Sequence, residues 1–216
     1  MSRRYATPFA IAVTLAAGSA LLIAAQPTER RQVQPSGAKP AAAEPPMMSP
    51  EEMKSAWKEA NRTNPNHERL KMIEGTWSAV VKHWMPGSDK AEESTGTMVN
   101  TLIHDGRFIH HDFKGTFDGE KFVGSGHFGF DNGSGKFQST WIDSLSTGIM
   151  FSTGTYNESA REWTMTSEMY CPMMKCAVKH REVVKVLSRD KHVMTMYMTM
   201  PDQPEFKGME ITYTRK

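Results

Sequence analysis

The sequence predicts a mainly β protein whose core is a closed, antiparallel, up-and-down barrel of about ten strands, preceded by one or two helices. After Gly75, short runs of alternating apolar and polar residues are separated by turn-forming residues, a pattern typical of strands joined by hairpins. The connections are short, so consecutive strands should pair antiparallel. An open sheet would leave two reactive edges, and closing it removes both.

The segment before Gly75 predicts two helices. Ser49-Pro50-Glu51-Glu52 combines a hydroxyl N-cap, a proline at the first helical position and the acid of a capping box. The residues that follow have helical spacing and form one apolar stripe, made of Met53, Ala56, Trp57 and Ala60. Asn64-Pro65 ends this helix. A second, shorter helix should run from Pro65 to about Ile73 and offer Leu70 and Ile73 to the core.

Ten runs after Gly75 are predicted as strands. They cover residues 76–84, 95–104, 107–114, 121–130, 136–143, 148–156, 161–170, 180–188, 192–200 and 208–215. The connections carry residues that favour tight turns, among them Asp105-Gly106, Asp118-Gly119 and Asp131-Asn132-Gly133. This spacing predicts a meander in which strands follow one another around the barrel.

The first 25 residues predict export. Arg3 and Arg4 precede an uncharged apolar run from Phe9 to Ala25 that ends in small residues, as in a secretory signal peptide. We therefore expect residues 1–25 to be cleaved and the mature protein to be periplasmic or extracellular. An uncleaved membrane anchor is the alternative, because about 17 apolar residues reach the lower limit for spanning a bilayer.

The remaining chain divides into a linker and one domain. Residues 26–48 are rich in Pro, Ala and charge and are predicted to be disordered, which leaves residues 49–216 as the barrel domain. Without residues 1–25 the chain keeps 24 basic and 24 acidic residues, since that segment holds two of the 26 Lys and Arg and no acid. A neutral chain without a basic cluster excludes nucleic acid as an expected partner, and no membrane partner is expected after cleavage.

A short motif relates the start of the barrel to known proteins. Gly75-Thr76-Trp77, directly after a helix, resembles the G-x-W opening of lipocalins and their calycin relatives. In those proteins the tryptophan packs at the closed end of the barrel, often beneath a basic residue of the last strand. The resemblance implies that Trp77 lies at the closed end and that Arg215 covers it.

A longer stretch, from about His67 to the C-terminus, is similar to the bacterial calycin-like family known as domain of unknown function 1579. Four segments carry the similarity: Asp105-Gly106-Arg107-Phe108, Gly129-Phe130-Asp131-Asn132, Ser139-Thr140-Trp141-Ile142-Asp143-Ser144 and Met209-Glu210-Ile211-Thr212-Tyr213-Thr214-Arg215-Lys216. The similarity implies a calycin/lipocalin-like barrel and no particular activity. The segment from Cys171 to Cys176 and the 17 methionines depart from the family pattern.

One glycine-rich motif imitates a nucleotide site. Gly124-Ser125-Gly126-His127-Phe128-Gly129 fits the G-x-G-x-x-G pattern, which binds a dinucleotide only where a helix begins at the motif. The residues that follow, 130–135, instead predict a turn and another strand. We interpret the glycines as residues that let a strand bend at a barrel corner, and no cofactor is expected.

Histidines and acids near residue 110 do not predict a metal site. Neighbouring residues of a strand point to opposite faces, so His110 and His111 cannot both face one ion. His110 and Asp112 share a face, but the sequence identifies no third ligand. A G-x-S-x-G nucleophile elbow is also absent from the sequence, so hydrolase chemistry finds no support.

The two cysteines of the chain lie in one short segment. Cys171 and Cys176 are expected to form a local disulfide, because the chain is predicted to be exported. A soft-metal site for Cu(I), with Met173, Met174 and His180 as further ligands, is the first alternative. Two free thiols are the second.

Methionines point to the function that the sequence favours. Met194, Met196, Met198 and Met200 alternate along one predicted strand and form a stripe that fits either ordinary core or adaptable pocket lining. Eight strands enclose an interior just filled by side chains or by one small ligand, and ten leave more room. We therefore predict a site for a small apolar molecule inside the barrel. Its predicted lining is Trp77, Phe108, His110, Trp141, Asp143, Trp163 and Met196.

Two other functions stay open at this point. An enzyme would use polar groups at the barrel mouth, with Asp143 and His110 as catalytic candidates, since a tryptophan beside Asp143 could raise the pKa of its carboxyl. Asp143 could equally hydrogen-bond the Ser-Leu-Ser-Thr-Gly loop that follows it. A structural or interaction module, tethered by residues 26–48, would have a solid interior. We expect a binding protein rather than an enzyme.

Overall fold

Ten antiparallel strands close into a barrel in which each strand pairs with its neighbours in the chain and β10 pairs with β1. The computed structural model describes residues 48–172 and 175–216. Its strands are β1 (Gly75–Trp84), β2 (Ala91–Ile103), β3 (Phe108–Phe117), β4 (Glu120–Asp131), β5 (Lys136–Asp143), β6 (Met150–Asn157), β7 (Glu162–Cys171), β8 (Cys176–Ser188), β9 (Lys191–Thr199) and β10 (Phe206–Arg215). The predicted fold class is confirmed.

The predicted signal peptide (1–25) and all of the predicted linker except Met48 lie outside the described residues. Within the described part of the chain, no helix is long and apolar enough to cross a membrane.

The first helix, α1 (Pro50–Ala60), begins with the predicted capping box. The backbone N–H of Ser49 donates to the Glu52 carboxylate at 2.8 Å, and the N–H of Glu52 donates to Ser49 Oγ at 3.3 Å. The apolar stripe of this helix stays exposed: Trp57 keeps 73% of its surface and every residue of α1 is exposed. Local capping and spacing therefore form the helix without packing it on the barrel.

The second predicted helix splits into α2 (Pro65–Arg69) and a 3₁₀ turn (Leu70–Met72). As predicted, Leu70 and Ile73 are buried, and they join the apolar cluster that fills one end of the barrel. The other members of this cluster come from β3, β4, β5, β7 and β8: Ile109, Phe128, Phe137, Trp163, Met165 and Val186. We call this the closed end, and the opposite end, where the β1–β2 and β5–β6 loops lie, the mouth.

Two strands begin four residues earlier than the sequence predicted. β2 starts at Ala91 rather than 95, and β8 starts at Cys176 rather than 180. Ala91 and Glu92 pair with Trp84 and His83 of β1, so the ladder extends through residues that have little intrinsic preference for strands. Pairing with a neighbour overrides local propensity at both places.

The glycine-rich motif runs along β4, and no helix starts there. A Cβ atom at Gly124 would lie 2.3 Å from the Trp141 indole, and one at Gly126 would lie 2.0 Å from the backbone oxygen of Thr140. The glycines thus permit close approach of neighbouring groups. The motif is not a nucleotide site because no helix begins at it, and its glycines provide close packing, whereas the predicted bend stays a prediction.

Candidate functional site

Trp77 forms the floor of the barrel interior. Its side chain is fully buried, its indole Nε1 donates to the Ile73 carbonyl oxygen at 2.9 Å, and the Arg215 guanidinium lies 4.1 Å from its ring centroid. Arg215 also donates from Nη1 to the Glu74 carbonyl oxygen at 2.8 Å. The implied pairing of Trp77 with Arg215 at the closed end is therefore present. Because Trp77 is packed on all sides, it forms the base of the interior.

Burial decreases from this floor toward the mouth along β1 and β7. On β1 the inward side chains rise from 0% exposed at Trp77 to 9% at His83, and on β7 the buried Trp163 and Met165 are followed by the half-buried Ser167. Six inward residues above the floor are half-buried, although their side chains point toward the barrel axis: His111, Trp141, Glu182, Met194, Met196 and Met209. We call this set the central lumen. Each of these side chains is less completely buried than those of the floor.

The methionine stripe of β9 contributes to the central lumen. Met194 packs against the cluster around Trp77, and Met196 pairs in register with Met209 and with Glu182. Met200 falls in the turn after β9, so the stripe is one residue shorter than predicted. Flexible, polarizable side chains at this position suit an adaptable lining.

Trp141 and Asp143 both point inward from β5, as their predicted role requires. The Trp141 indole donates to Asp143 Oδ2 at 3.2 Å, while Asp143 Oδ1 accepts from the backbone N–H groups of Leu145 and Ser146, each at 2.9 Å. Asp143 therefore caps the loop that follows it, which was the simpler of its two interpretations. Trp141 remains part of the central lumen.

Trp163 lies below the central lumen in the aromatic core of the closed end. It contacts Phe128, Phe137 and Tyr156, with ring centroids 4.9–6.0 Å apart. Its indole Nε1 is buried and has no hydrogen-bond partner among the described residues. Trp163 thus packs the closed end of the barrel.

Phe108 and His110 point outward, so the expectation that they line the interior is wrong. Ile109 and Phe113 are the buried residues of β3, and the strand period of two then turns Phe108 and His110 to the outer wall. Phe108 is 40% exposed, and the His110 ring lies beside outward His127, tilted by 45° with centroids 5.0 Å apart. Each face of β3 begins with an apolar residue, Phe108 on one face and Ile109 on the other. Only the Ile109 face carries a second large apolar residue within the next four positions, Phe113, and this was the signal in the sequence for the inner face.

His111 is the histidine that enters the interior. Its Nδ1 donates to the Asn100 side-chain oxygen at 2.7 Å, and the Asn100 amide donates to the Ile73 carbonyl oxygen at 2.7 Å. Burial, together with the neighbouring His110 and His127, lowers the pKa of His111 to about 4. At neutral pH the ring is uncharged.

His192 and His180 are two further histidines that point inward. His192 is wedged between Trp77 and Tyr213, with ring centroids 4.3 and 4.5 Å away. Burial, the Arg215 charge and His111 lower the pKa of His192 to about 3, and burial lowers that of His180. The Nδ1 atoms of both rings are buried and have no partner among the described residues.

Glu182 is the residue that sequence reasoning missed. It lies on β8, opposite Met165 on one side and Met196 on the other, and burial raises the pKa of its carboxyl to about 7. Glu182 is an even number of residues away from Val178, Val184 and Val186, so it lies on the same strand face as these apolar residues. That spacing was the signal available in the sequence. Charged residues on both faces of β8 obscured it.

A second group of polar residues lies at the mouth. His83 Nε2 is 3.5 Å from Glu92 Oε2 and 3.7 Å from Asp118 Oδ1, and the three atoms lie within 4.8 Å of one another. One imidazole and two carboxylates are donors that a divalent cation accepts. Both acids are more than half exposed, and these separations are also those of an ordinary surface ion-pair cluster.

Comparison with known families assigns this chain to one of them. The sequence profile described as "Protein of unknown function (DUF1579)" matches residues 62–215. The chain belongs to the DUF1579 family. The resemblance expected from the four sequence segments is confirmed.

Solved structures resemble this DUF1579 protein in fold. Rv2717c from M. tuberculosis aligns with a TM-score of 0.51 at 15% identity, over 72% of this chain and 99% of that one. The S-type phycobiliprotein lyase CPES from Guillardia theta aligns with a TM-score of 0.47 at 13% identity, over 74% of this chain and 96% of that one. A search of curated proteins found no match. At these identities the likeness concerns the barrel architecture alone.

The two cysteines of this DUF1579 protein face each other at the mouth ends of β7 and β8. Cys171 and Cys176 are direct partners in the antiparallel register, because β7 ends at Cys171 and β8 begins at Cys176, earlier than predicted. Directly opposed residues have Cα atoms about 4.5–5.5 Å apart, which suits a disulfide. The structure contains both as free thiols, Met173 and Met174 lie outside the described residues, and the disulfide stays a prediction.

Alkylation of the exported protein tests this pairing. We expect the unreduced native protein to take up no alkyl group at Cys171 or Cys176, and to take up two after reduction, as read by intact mass. Two adducts without reduction would contradict the disulfide. Copper bound in equal amount to protein would instead favour the soft-metal alternative.

Proposed function

We propose that this protein binds a small molecule with a largely apolar body in the central lumen. The observation that supports this proposal is the difference in burial between the floor of the barrel and the central lumen. Trp77, Trp163 and Met165 pack the floor with at most 2% of their surface exposed, while Met194, Met196 and Trp141 point inward and stay half-buried. Apolar surface that borders internal space is the usual lining of small-molecule sites.

The structure does not bring together the two residues that were the catalytic candidates of the enzyme alternative. These candidates were Asp143 and His110. Asp143 is engaged by Trp141 and by two backbone N–H groups, and His110 lies on the outer wall beside His127. They do not form one site, so the structure supports binding better than catalysis at the mouth.

Replacing Met196 with tryptophan tests the proposal. The probe is 1-decanol, a neutral apolar molecule, which should quench or shift the tryptophan fluorescence of the natural protein saturably. In Met196→Trp the larger side chain should fill the central lumen, so decanol should have no such effect. Thr195→Trp, which adds the same bulk on the outer face of β9, should bind the probe normally. Circular dichroism should show both variants folded.

A solid interior would give a different result. The natural protein would then bind no decanol, and Met196→Trp would destabilise the fold by about 1–3 kcal/mol through overpacking. That outcome would remove the binding function and favour an interaction module.

We also infer that the protein acts after export, in the periplasm or outside the cell. The support is the basic pair Arg3-Arg4 followed by the apolar run from Phe9 to Ala25. N-terminal sequencing of protein from the producing cell should begin at Gln26. A chain that begins at Met1 or Ser2 would contradict cleavage.

A further inference from the structure

Above the floor, the inner wall of the described strands carries acids and histidines but no lysine or arginine. Strand alternation turns the lysines and arginines of the described strands outward. Arg181, next to Glu182, is paired with Glu205 on the outer surface through bonds of 2.9 and 2.6 Å. Arg215 lies at the closed end, where it stacks on Trp77 and donates to backbone carbonyl groups. No described basic side chain points into the central lumen.

Glu182 is the acid at the centre of this wall. Its register neighbours are Met165 and Met196, and no described residue forms a hydrogen bond or an ion pair with its carboxyl group. Tyr213 is close enough that burial and the Glu182 charge together raise the pKa of the phenol. An unpartnered carboxylate in apolar surroundings is costly, and buried polar groups in folded proteins nearly always have a partner.

The histidines cannot supply that partner as cations. Burial lowers the pKa of His111 to about 4 and that of His192 to about 3, so both rings are neutral, and burial also lowers the pKa of His180. Among the six residues of the central lumen, only Glu182 is therefore charged, and it is mostly ionised at pH 7.5. Such a site repels a carboxylate ligand and attracts a cation.

We propose that Glu182 anchors a cationic amino group, so that the ligand class is an amphipathic amine with an apolar body rather than a fatty acid. The inference rests on the proposed lumen function. The methionines and Trp141 contact the apolar body, and an ammonium group donates hydrogen bonds to the carboxylate. A charge-assisted bond of this kind gives the carboxylate the partner that the protein itself does not provide.

Three probes of equal chain length test the proposal: decylamine, 1-decanol and sodium decanoate, each titrated below its aggregation concentration at pH 7.5. Decylamine should bind at least tenfold more tightly than decanoate. In Glu182→Gln, which keeps the shape of the side chain, decylamine binding should weaken about tenfold while decanol binding stays unchanged. Glu168→Gln, on the outward face of β7, is the matched control and should leave all three affinities unchanged.

The outcomes separate this inference from the lumen function. If none of the three probes binds, the lumen function fails and the inference fails with it. If decanol binds and decanoate binds as tightly as decylamine, only the inference is overturned. The comparison of the three probes on the natural protein decides this even if Glu182→Gln does not fold.

Discussion

At pH 8, replacing Glu182 with glutamine should stabilise the empty protein by about 3 kcal/mol more than it does at pH 4.5. Burial raises the pKa of this carboxyl from 4.5 to about 7, and each unit is equivalent to about 1.4 kcal/mol. The folded state therefore holds a proton that the unfolded chain has released. The stability associated with Glu182 is fully present below pH 4.5 and is lost as the pH rises through 7.

Urea denaturation of the natural protein and of Glu182→Gln at pH 4.5, 6 and 8 measures this difference. The free-energy gap between the two should widen across this range and level off above pH 7. Glu168→Gln, which changes an exposed acid on the neighbouring strand, should give a small gap that does not vary with pH. A constant gap for Glu182→Gln would mean that the carboxyl is solvated or paired in the folded protein.

Replacing Trp77 with alanine should cost about 3–5 kcal/mol of unfolding free energy, the range for removing a large buried aromatic side chain. Trp77 is fully buried, donates to the Ile73 carbonyl oxygen, and packs between Arg215 and His192. Its loss would open a cavity in the floor and leave His192 without one of its two aromatic neighbours. Thermal or urea unfolding, followed by circular dichroism, measures the cost.

Trp57→Ala provides the matched control, since it removes the same side chain from an exposed position. Trp57 lies on α1 and keeps 73% of its surface, so its replacement should change the stability by less than about 0.5 kcal/mol. Equal losses for the two variants would show that Trp57 is covered in solution. A small loss for Trp77→Ala would contradict its place as the floor of the barrel.

Local chemistry in the chain was sufficient for much of the architecture. Ser49 and Glu52 form their capping box because both partners are three residues apart. The alternation and the turn residues predicted ten strands, and their antiparallel meander follows from short connections. Gly75-Thr76-Trp77 and Arg215 were paired through resemblance to calycins, and the structure brings them together.

The packing of α1 could not be predicted in this way. Spacing places Met53 and Trp57 on one side of the helix, but whether that side meets the barrel depends on the path of the chain after Ala60. In the structure Asn132 holds this end by donating to the carbonyl oxygens of Ala60 and Arg62 at 2.9 and 2.8 Å. The apolar stripe of the helix is left in solvent.

The sequence by itself determined that β3 and β8 are strands, but only the tertiary structure decided which of their faces is inside. A shift of one residue exchanges the two faces of a strand, and both strands carry apolar and polar residues on each face. Barrel closure resolves this through register: Ile109 pairs with Phe128, and Glu182 lies between Met165 and Met196. His110 consequently lies outside, and Glu182 becomes the one unpaired acid of the central lumen. Which face of a strand points inward depends on how all ten strands pair, and one strand's sequence does not contain that information.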